Sequence, residues 1–287
     1  MQKMSTQKKR PSEESQNPVT KKAKRTIDYS RKPFPSKKEC LPHCKGNRLL
    51  FSENIKAGSG MMRFYALTWA EAWRKIMPGI RNLNNAQHFY ERRHVFNDPA
   101  GGGPPPPCVL YFDIDDSVDS KDEHDDKTYL CGFRQALKDI LQVTEPLRVQ
   151  ASCGMKNGRY KVSYHILVPG VHFESIRHLD FFLKQKCRIE EFKDDKGKNK
   201  TKWFLGNYEI DKAVYHEGFW RMPYNSKKGS QRVLIPRDLA QESKMTLKEF
   251  KELSIHFVPP KSRKIDVNMP QCNITQRVAN RRHTSQN

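Results

Sequence analysis

Several things are scarce in this chain of 287 residues. Apolar residues make up 36%, low for a chain folded from end to end, so unstructured ends are expected. No apolar run reaches the length of a membrane span and no secretory h-region follows Met1, so no membrane partner is expected. The seven cysteines are scattered without the spacing of a disulfide framework, which points to reduced thiols inside a cell. No Gly-x-x-x-x-Gly-Lys-[Ser/Thr] loop occurs, so phosphate groups would have to be held by side chains. Acids are also short: 32 Asp and Glu stand against 53 Lys and Arg.

That imbalance gives a formal charge of +21. Residues 1–48 carry 14 Lys/Arg against 4 Asp/Glu, and residues 261–287 carry 6 against 1, which leaves the body between them basic as well. An excess of this size favours a polyanionic partner, nucleic acid first; the plainer reading is a solvated cationic surface. Residues 1–48 are poor in large apolar side chains and are expected to be disordered. Within them, Lys8-Lys9-Arg10 and Lys21-Lys22-Ala23-Lys24-Arg25 flank a polar spacer, as in a bipartite nuclear localisation signal read by an import receptor. A basic arm gripping phosphates is the alternative, and the two are compatible. Cys40, His43 and Cys44 have zinc-like spacing but no second pair follows nearby.

The folded body is expected over 49–260, with 261–287 a basic tail. Arg63–Leu67 reads as a strand, and Thr68-Trp69-Ala70-Glu71 as a capping box opening a helix that Pro78-Gly79 stops. Phe89-Tyr90 is a further strand candidate. Gly101–Gly103 and the four prolines 104–107 read as a loop. Val109–Asp115 follows as a buried strand, then an acidic loop to Asp126 and a helix through Leu130, Phe133, Leu137 and Leu141. Lys161–Val168 alternates as a strand that Pro169-Gly170 ends, and Ile176, Leu179 and Leu183 mark another helix. Residues 193–202 read as an exposed loop, 205–215 and 232–235 as strands, and Thr246–Glu249 as a last helix start. Strands and helices mixed through one body give the class α/β or α+β.

The chemistry sits on the strands. Asp113 and Asp115 share one strand face, and two carboxylates so placed make a seat for divalent cations. Lys161, Ser163 and His165 share a face of another strand and are the side-chain types that hold phosphate oxygens. Asp211 is a third acid, followed closely by Arg221, Lys227, Lys228 and Arg232. A calcium loop from Asp113 fails, because Val118 and His124 stand where Gly and Glu are needed. Three acids opposite a cationic, hydroxyl-bearing lining suit two-metal nucleotidyl transfer.

In order and spacing these segments resemble the archaeo-eukaryotic primase superfamily, in particular its primase-polymerase branch. The resemblance rests on Asp113-Ile114-Asp115, Lys161-Val162-Ser163-Tyr164-His165, Asp211-Lys212-Ala213-Val214-Tyr215, and Arg221 with Ser226-Lys227. Arg63-Phe64-Tyr65 with Trp73, and His88–Glu91, also look familial; the likeness covers about residues 60–240. It implies an RRM-like sheet packed against a second α/β unit, with the site in the cleft between them. It implies Asp113, Asp115 and Asp211 as ligands of Mg²⁺ or Mn²⁺. Ser163 and His165, with Lys161 beside them, would contact the phosphates of an incoming NTP or dNTP. Arg221 and Lys227 would hold the triphosphate or the backbone of a single-stranded DNA template and its primer. The activity implied is that of a DNA primase and DNA-directed polymerase, working in the nucleus with a replicative helicase or single-strand-binding protein. There are three departures. Asp115 stands where Glu is frequent, no C-terminal zinc module follows, and Glu217-Gly218 occupies a stretch where a further Arg is expected. Two other readings stay open: a metal-dependent nuclease, and a non-catalytic accessory factor that binds single strands.

Overall fold

Two antiparallel sheets meet at a seam, where the continuous apolar run at residues 109–112 and the alternating segment 161–168 lie in the two longest strands. The computed structural model describes residues 33–44, 46–56, 59, 61–93, 104–237 and 245–269. In chain order the elements are α1 (Lys37–Cys40), β1 (Leu49–Asn54), β2 (Met62–Leu67), α2 (Trp69–Arg81), β3 (Phe89–Arg93) and β4 (Cys108–Val118). Then come α3 (Asp126–Leu141), β5 (Arg148–Ala151), β6 (Gly154–Lys156), β7 (Arg159–Phe173), α4 (Ile176–Lys186), β8 (Arg188–Lys193) and β9 (Asn199–Leu205). The last are β10 (Tyr208–Ile210), β11 (Gly218–Arg221), β12 (Ile235–Pro236), α5 (Leu247–Glu252) and β13 (Arg263–Lys264).

The smaller sheet has the order β11-β3-β1-β2; the larger runs β12-β5-β7-β4-β10-β9-β8, with β6 and β13 also paired to β7. All strand pairs are antiparallel except β13 with β7. The class is mixed α/β with few helices. The larger core gathers Leu110, Phe112 and Ile114 of β4, Tyr164 and Ile166 of β7, and Phe133 and Leu137 of α3. The smaller core joins Phe51, Tyr65 and Phe89 to Ala72, Ile76 and Ile80 of α2 and to Phe250 of α5. Burying one such large apolar side chain stabilises by about 1.5–3 kcal/mol. Both capping boxes form: Thr68 with Glu71 opens α2, and Thr246 with Glu249 opens α5.

A short segment ties the sheets together. Ser254 Oγ and the amides of Ile255 and His256 donate to the Glu91 carboxylate on β3, while Val109 N–H on β4 donates to Ile255 O at 2.9 Å.

The structure departs from expectation in identifiable places. Helix α2 runs through Pro78 to Arg81, and Asn82 N–H still reaches Pro78 O. Gly79 serves close packing: a Cβ there would stand 2.6 Å from Tyr224 O. Strand β7 passes Pro169-Gly170 because the β4–β7 register shifts between Val109 and Leu110, which absorbs the residue lacking an N–H. Residues 188–205 form a β-hairpin rather than a loop, with β8 exposed along its length. Between Leu205 and Tyr215 the chain turns, forms the short β10 and ends in a single 3₁₀ turn, Lys212–Tyr215. Of the expected 232–235 strand, only Ile235 lies in β12.

The ordered body also starts before residue 49 and passes 260. Phe34 pairs with Phe64 through two backbone hydrogen bonds, Cys40 is buried, and Arg263-Lys264 adds to β7. The two basic clusters of the nuclear-signal reading and Gly101–Gly103 lie outside the described residues. Among the described residues no helix is long and apolar enough to cross a membrane.

Candidate active site

Register does the first assembly. On β4 and β7, Asp113 lies opposite His165 and Asp115 opposite Ser163. Opposed residues of an antiparallel pair project from the same face, so the Asp-x-Asp and Lys-x-Ser-x-His segments meet side chain to side chain. Lys161 reaches across diagonally, and its Nζ donates to Asp115 Oδ2 at 2.6 Å.

β10 joins the other edge of β4 with Ile210 opposite Ile114, and Asp211 N–H then donates to Asp113 O at 2.9 Å. Asp211 is therefore beside Asp113. Its Oδ1 accepts from Ala213 N–H at 2.8 Å and so caps the turn that follows.

The smaller sheet closes the site from above. The Trp220 ring of β11 lies tilted against His165 at 4.0 Å between centroids and meets Tyr111 edge-on at 5.0 Å. Arg221 is buried beside it, with Nη1 donating to Arg232 O at 3.4 Å and Nε without a partner. The chain then bends through Tyr224, whose φ of 57° is unusual for a side chain of this size. The bend is held from both sides. Asn225 Oδ1 accepts from Phe89 N–H at 3.1 Å, Ser226 N–H donates to Gln87 O at 2.9 Å, and His88 Nδ1 lies 3.0 Å from Ser226 O. It brings Lys227 to the lip of the site, close enough for its charge to act on Asp113 and Asp115.

Electrostatics separate the two paired acids. Burial, then the Asp115 and Asp211 charges, raise the Asp113 pKa above the ordinary carboxylate range against the pull of Lys227 and Arg221. Burial also pushes Asp115 upward, but the Lys161 and Ser163 hydrogen bonds and the Lys161 and Lys227 charges outweigh it, and its pKa falls. His165 is held neutral, first by burial and then by Arg221, Lys227 and Arg93. Its Nε2 stands 3.8 Å from Asp113 Oδ2, too far for a hydrogen bond, and its Nδ1 is buried without a partner.

The fold thus gathers Asp113, Asp115, Lys161, Ser163 and His165 on one face, sets Asp211 next to them, and brings Arg221 and Lys227 across from the other sheet. Lys228 is exposed, and Arg232 Nη1 donates to Ser152 O at 3.3 Å. Among the described residues no three His, Cys, Asp or Glu side chains form a group able to hold a metal as they stand. That applies to the three aspartates and equally to Cys40, His43 and Cys44. There the His43 ring stacks on Phe34, and Cys44 Sγ is directed at Cys40 O. What the aspartates do offer is acceptor capacity. Asp113 Oδ1 and Asp115 Oδ1 are both closed off from solvent and accept no hydrogen bond. Buried anionic oxygens on one strand face fit a hard divalent cation.

Three residues of the site escaped the sequence reading. Gln150 on β5 lies opposite His165 and is buried; its position between core residues Val149 and Ala151 was the available signal. Trp220 and Arg93 reach the site from the smaller sheet, and nothing local to either marks them.

No family model matches the chain. Over 194 residues it is 33% identical to the uncharacterized protein ORF49 of Ostreid herpesvirus 1 (isolate France), a match covering 59% of this chain and 16% of that protein. The chain therefore matches a small part of the length of that viral protein.

Proposed function

We propose that this chain is a primase-polymerase catalytic domain that adds nucleotides from NTPs or dNTPs to a primer on single-stranded DNA. The observation that carries the reading is the β4–β7 register, which sets a metal-seating acid pair directly against a phosphate-holding triplet. Topology supports it. β4, β5, β7 and β10, with α3 and α4 as connections, lie side by side in the order β5-β7-β4-β10, all antiparallel. That order supports reading an RRM-like unit here, with the smaller sheet, α2 and α5 as the second α/β unit.

Asp113 and Asp115 would hold Mg²⁺ or Mn²⁺, with Asp211 beside them. When bound, the ion supplies charge neutralisation for the attacking hydroxyl and the leaving pyrophosphate. The chain's own side chains do the rest. Neutral His165 and the Ser163 hydroxyl orient the phosphates of the incoming nucleotide. Arg221 and Lys227 disperse the charge that builds on the triphosphate. Lys161 keeps Asp115 ionised by holding its Oδ2. Work in the nucleus, alongside a replicative helicase or single-strand-binding protein, belongs to the same proposal and rests on the two N-terminal basic clusters.

The test is incubation of the full chain with a primed single-stranded template, NTPs or dNTPs, and Mg²⁺ or Mn²⁺. Longer products, lost on EDTA addition and in Asp113→Ala, are expected. Shorter products would instead mean a nuclease. Salt-sensitive binding without chemistry would mean an accessory strand binder.

A further inference from the structure

Arg93 ends β3 opposite Gly218 at the start of β11. Its side chain lies across that glycine: a Cβ built on residue 218 would stand 2.1 Å from Arg93 Nη2. Gly218 is not among the residues with positive φ, so its backbone does not demand a glycine. A side chain at 218 would take the space the guanidinium now fills, and the arginine would have to swing aside. Arg93 is 9% exposed. Nη1 donates to Ala213 O at 3.0 Å, in the turn that Asp211 caps, while Nε is closed off from solvent without a partner. Among the described residues no carboxylate lies within ion-pair distance of it. Its charge nonetheless acts on Asp113 and Asp211, whereas those of Arg221 and Lys227 act on Asp113 and Asp115. Arg93 thus shares Asp113 with Arg221 and Lys227 and acts on Asp211 as well. A buried guanidinium held, among the described residues, by one neutral acceptor has donors left for an anion, and the fork geometry of arginine suits phosphate.

We propose that Arg93 is a phosphate-binding residue of the nucleotide site, entering over Gly218 and gripping the triphosphate on the Asp211 side. This rests on the polymerase reading. It also accounts for a glycine at 218: the cation expected on that stretch of β11 comes from the paired strand.

The experiment is calorimetric titration of the full chain with dGTP and Mn²⁺, for the wild type, Arg93→Ala, Arg93→Lys and the double variant Arg93→Ala/Gly218→Arg, each checked for folding by thermal unfolding. Arg93→Ala is expected to weaken binding about tenfold or more, and Arg93→Lys less, because it keeps the charge and loses the fork. The double variant should recover most of the loss, since residue 218 points its Cβ at the space the guanidinium leaves. Affinity within about twofold of wild type in a folded Arg93→Ala protein overturns the assignment. If Arg93→Ala does not fold, the double variant decides: near-wild-type affinity supports the assignment and a full loss overturns it. A wild-type chain that binds no dGTP overturns the polymerase reading itself, an outcome distinct from tight binding that ignores Arg93.

Discussion

Two acids sit at the seam between the sheets, and the protein treats them in opposite ways. Glu91 on β3 is 1% exposed and its carboxylate is fully engaged, by Ser254 Oγ at 2.6 Å and by the amides of Ile255 and His256 at 3.1 Å each. Asp113 on β4 is more open, its side chain 18% exposed, yet its Oδ1 is closed off from solvent and accepts nothing, and the charges acting on it include two further aspartates. Burial raises the pKa of both. Burial alone therefore does not tell a structural acid from a functional one; the count of donors does. Glu91 receives three and closes the fold. Asp113 is left with acceptor capacity on the face that Arg221 and Lys227 overlook.

Replacing Asp113 gives the largest effect and tests the contrast most directly. Asp113→Asn keeps the side-chain volume and removes one of three like charges. Under the proposed function, primer extension falls about 10³-fold or more, as loss of a metal-seating carboxylate would imply. The midpoint of chemical unfolding, measured without divalent metal, should hold or rise because the repulsion among the aspartates is relieved. A clear drop in that midpoint would place Asp113 with Glu91 as an acid the fold needs.

Glu91→Ala should do the reverse. It strands a hydroxyl and two amides in a region closed to water and loosens the link between β3, β4 and the segment after α5. A cost of about 3–5 kcal/mol in unfolding free energy is expected, the range for breaking a buried charged network. If Glu91→Ala unfolds at the same denaturant concentration as wild type, the seam is held by something else.

The same contrast explains what could be read in the sequence. The strands bearing Asp113 and Lys161–His165 were legible because a continuous apolar run, residues 109–112, and an alternating one, residues 161–168, need no tertiary information. Their mutual register was not, since it is set by long-range pairing, although the spacing of the acids and of Lys161, Ser163 and His165 is what that register makes useful. Pro169 and Pro78 misled because a bulge and a tightly packed helix end tolerate residues that isolated elements would not. The 188–205 hairpin hid because β8 is exposed on both faces and so shows no alternation. Residues 33–44 were hidden by their basic, proline-bearing composition, although Phe34, Cys40, Leu41 and Cys44 anchor them against Leu50 and Ala66. Arg93 and Trp220 escaped because they come from a different sheet, and no local pattern records which face will cover a site.

The smallest effect lies in the pH dependence of stability. Burial, opposed by the Ser254, His256 and Ile255 hydrogen bonds, pushes Glu91 up to about 7 from an ordinary 4.5. Below about pH 4.5 the carboxyl is protonated in both folded and unfolded chains and contributes no pH slope. Between 4.5 and 7 the unfolded chain releases this proton first. Glu91 therefore lowers stability as pH rises, by at most about 3–4 kcal/mol in total, and the effect is flat above 7. Glu91→Gln removes the titration and carries a pH-independent penalty, because an amide cannot accept from both the Ile255 and His256 sides. Its stability relative to wild type should therefore improve from pH 5 to pH 8, whatever its absolute value. Paired urea titrations at the two pH values measure this. A difference that stays constant would mean that the three donors hold Glu91 ionised throughout. Donor count would then govern its protonation as well as its role, and the contrast with Asp113 would be sharper still.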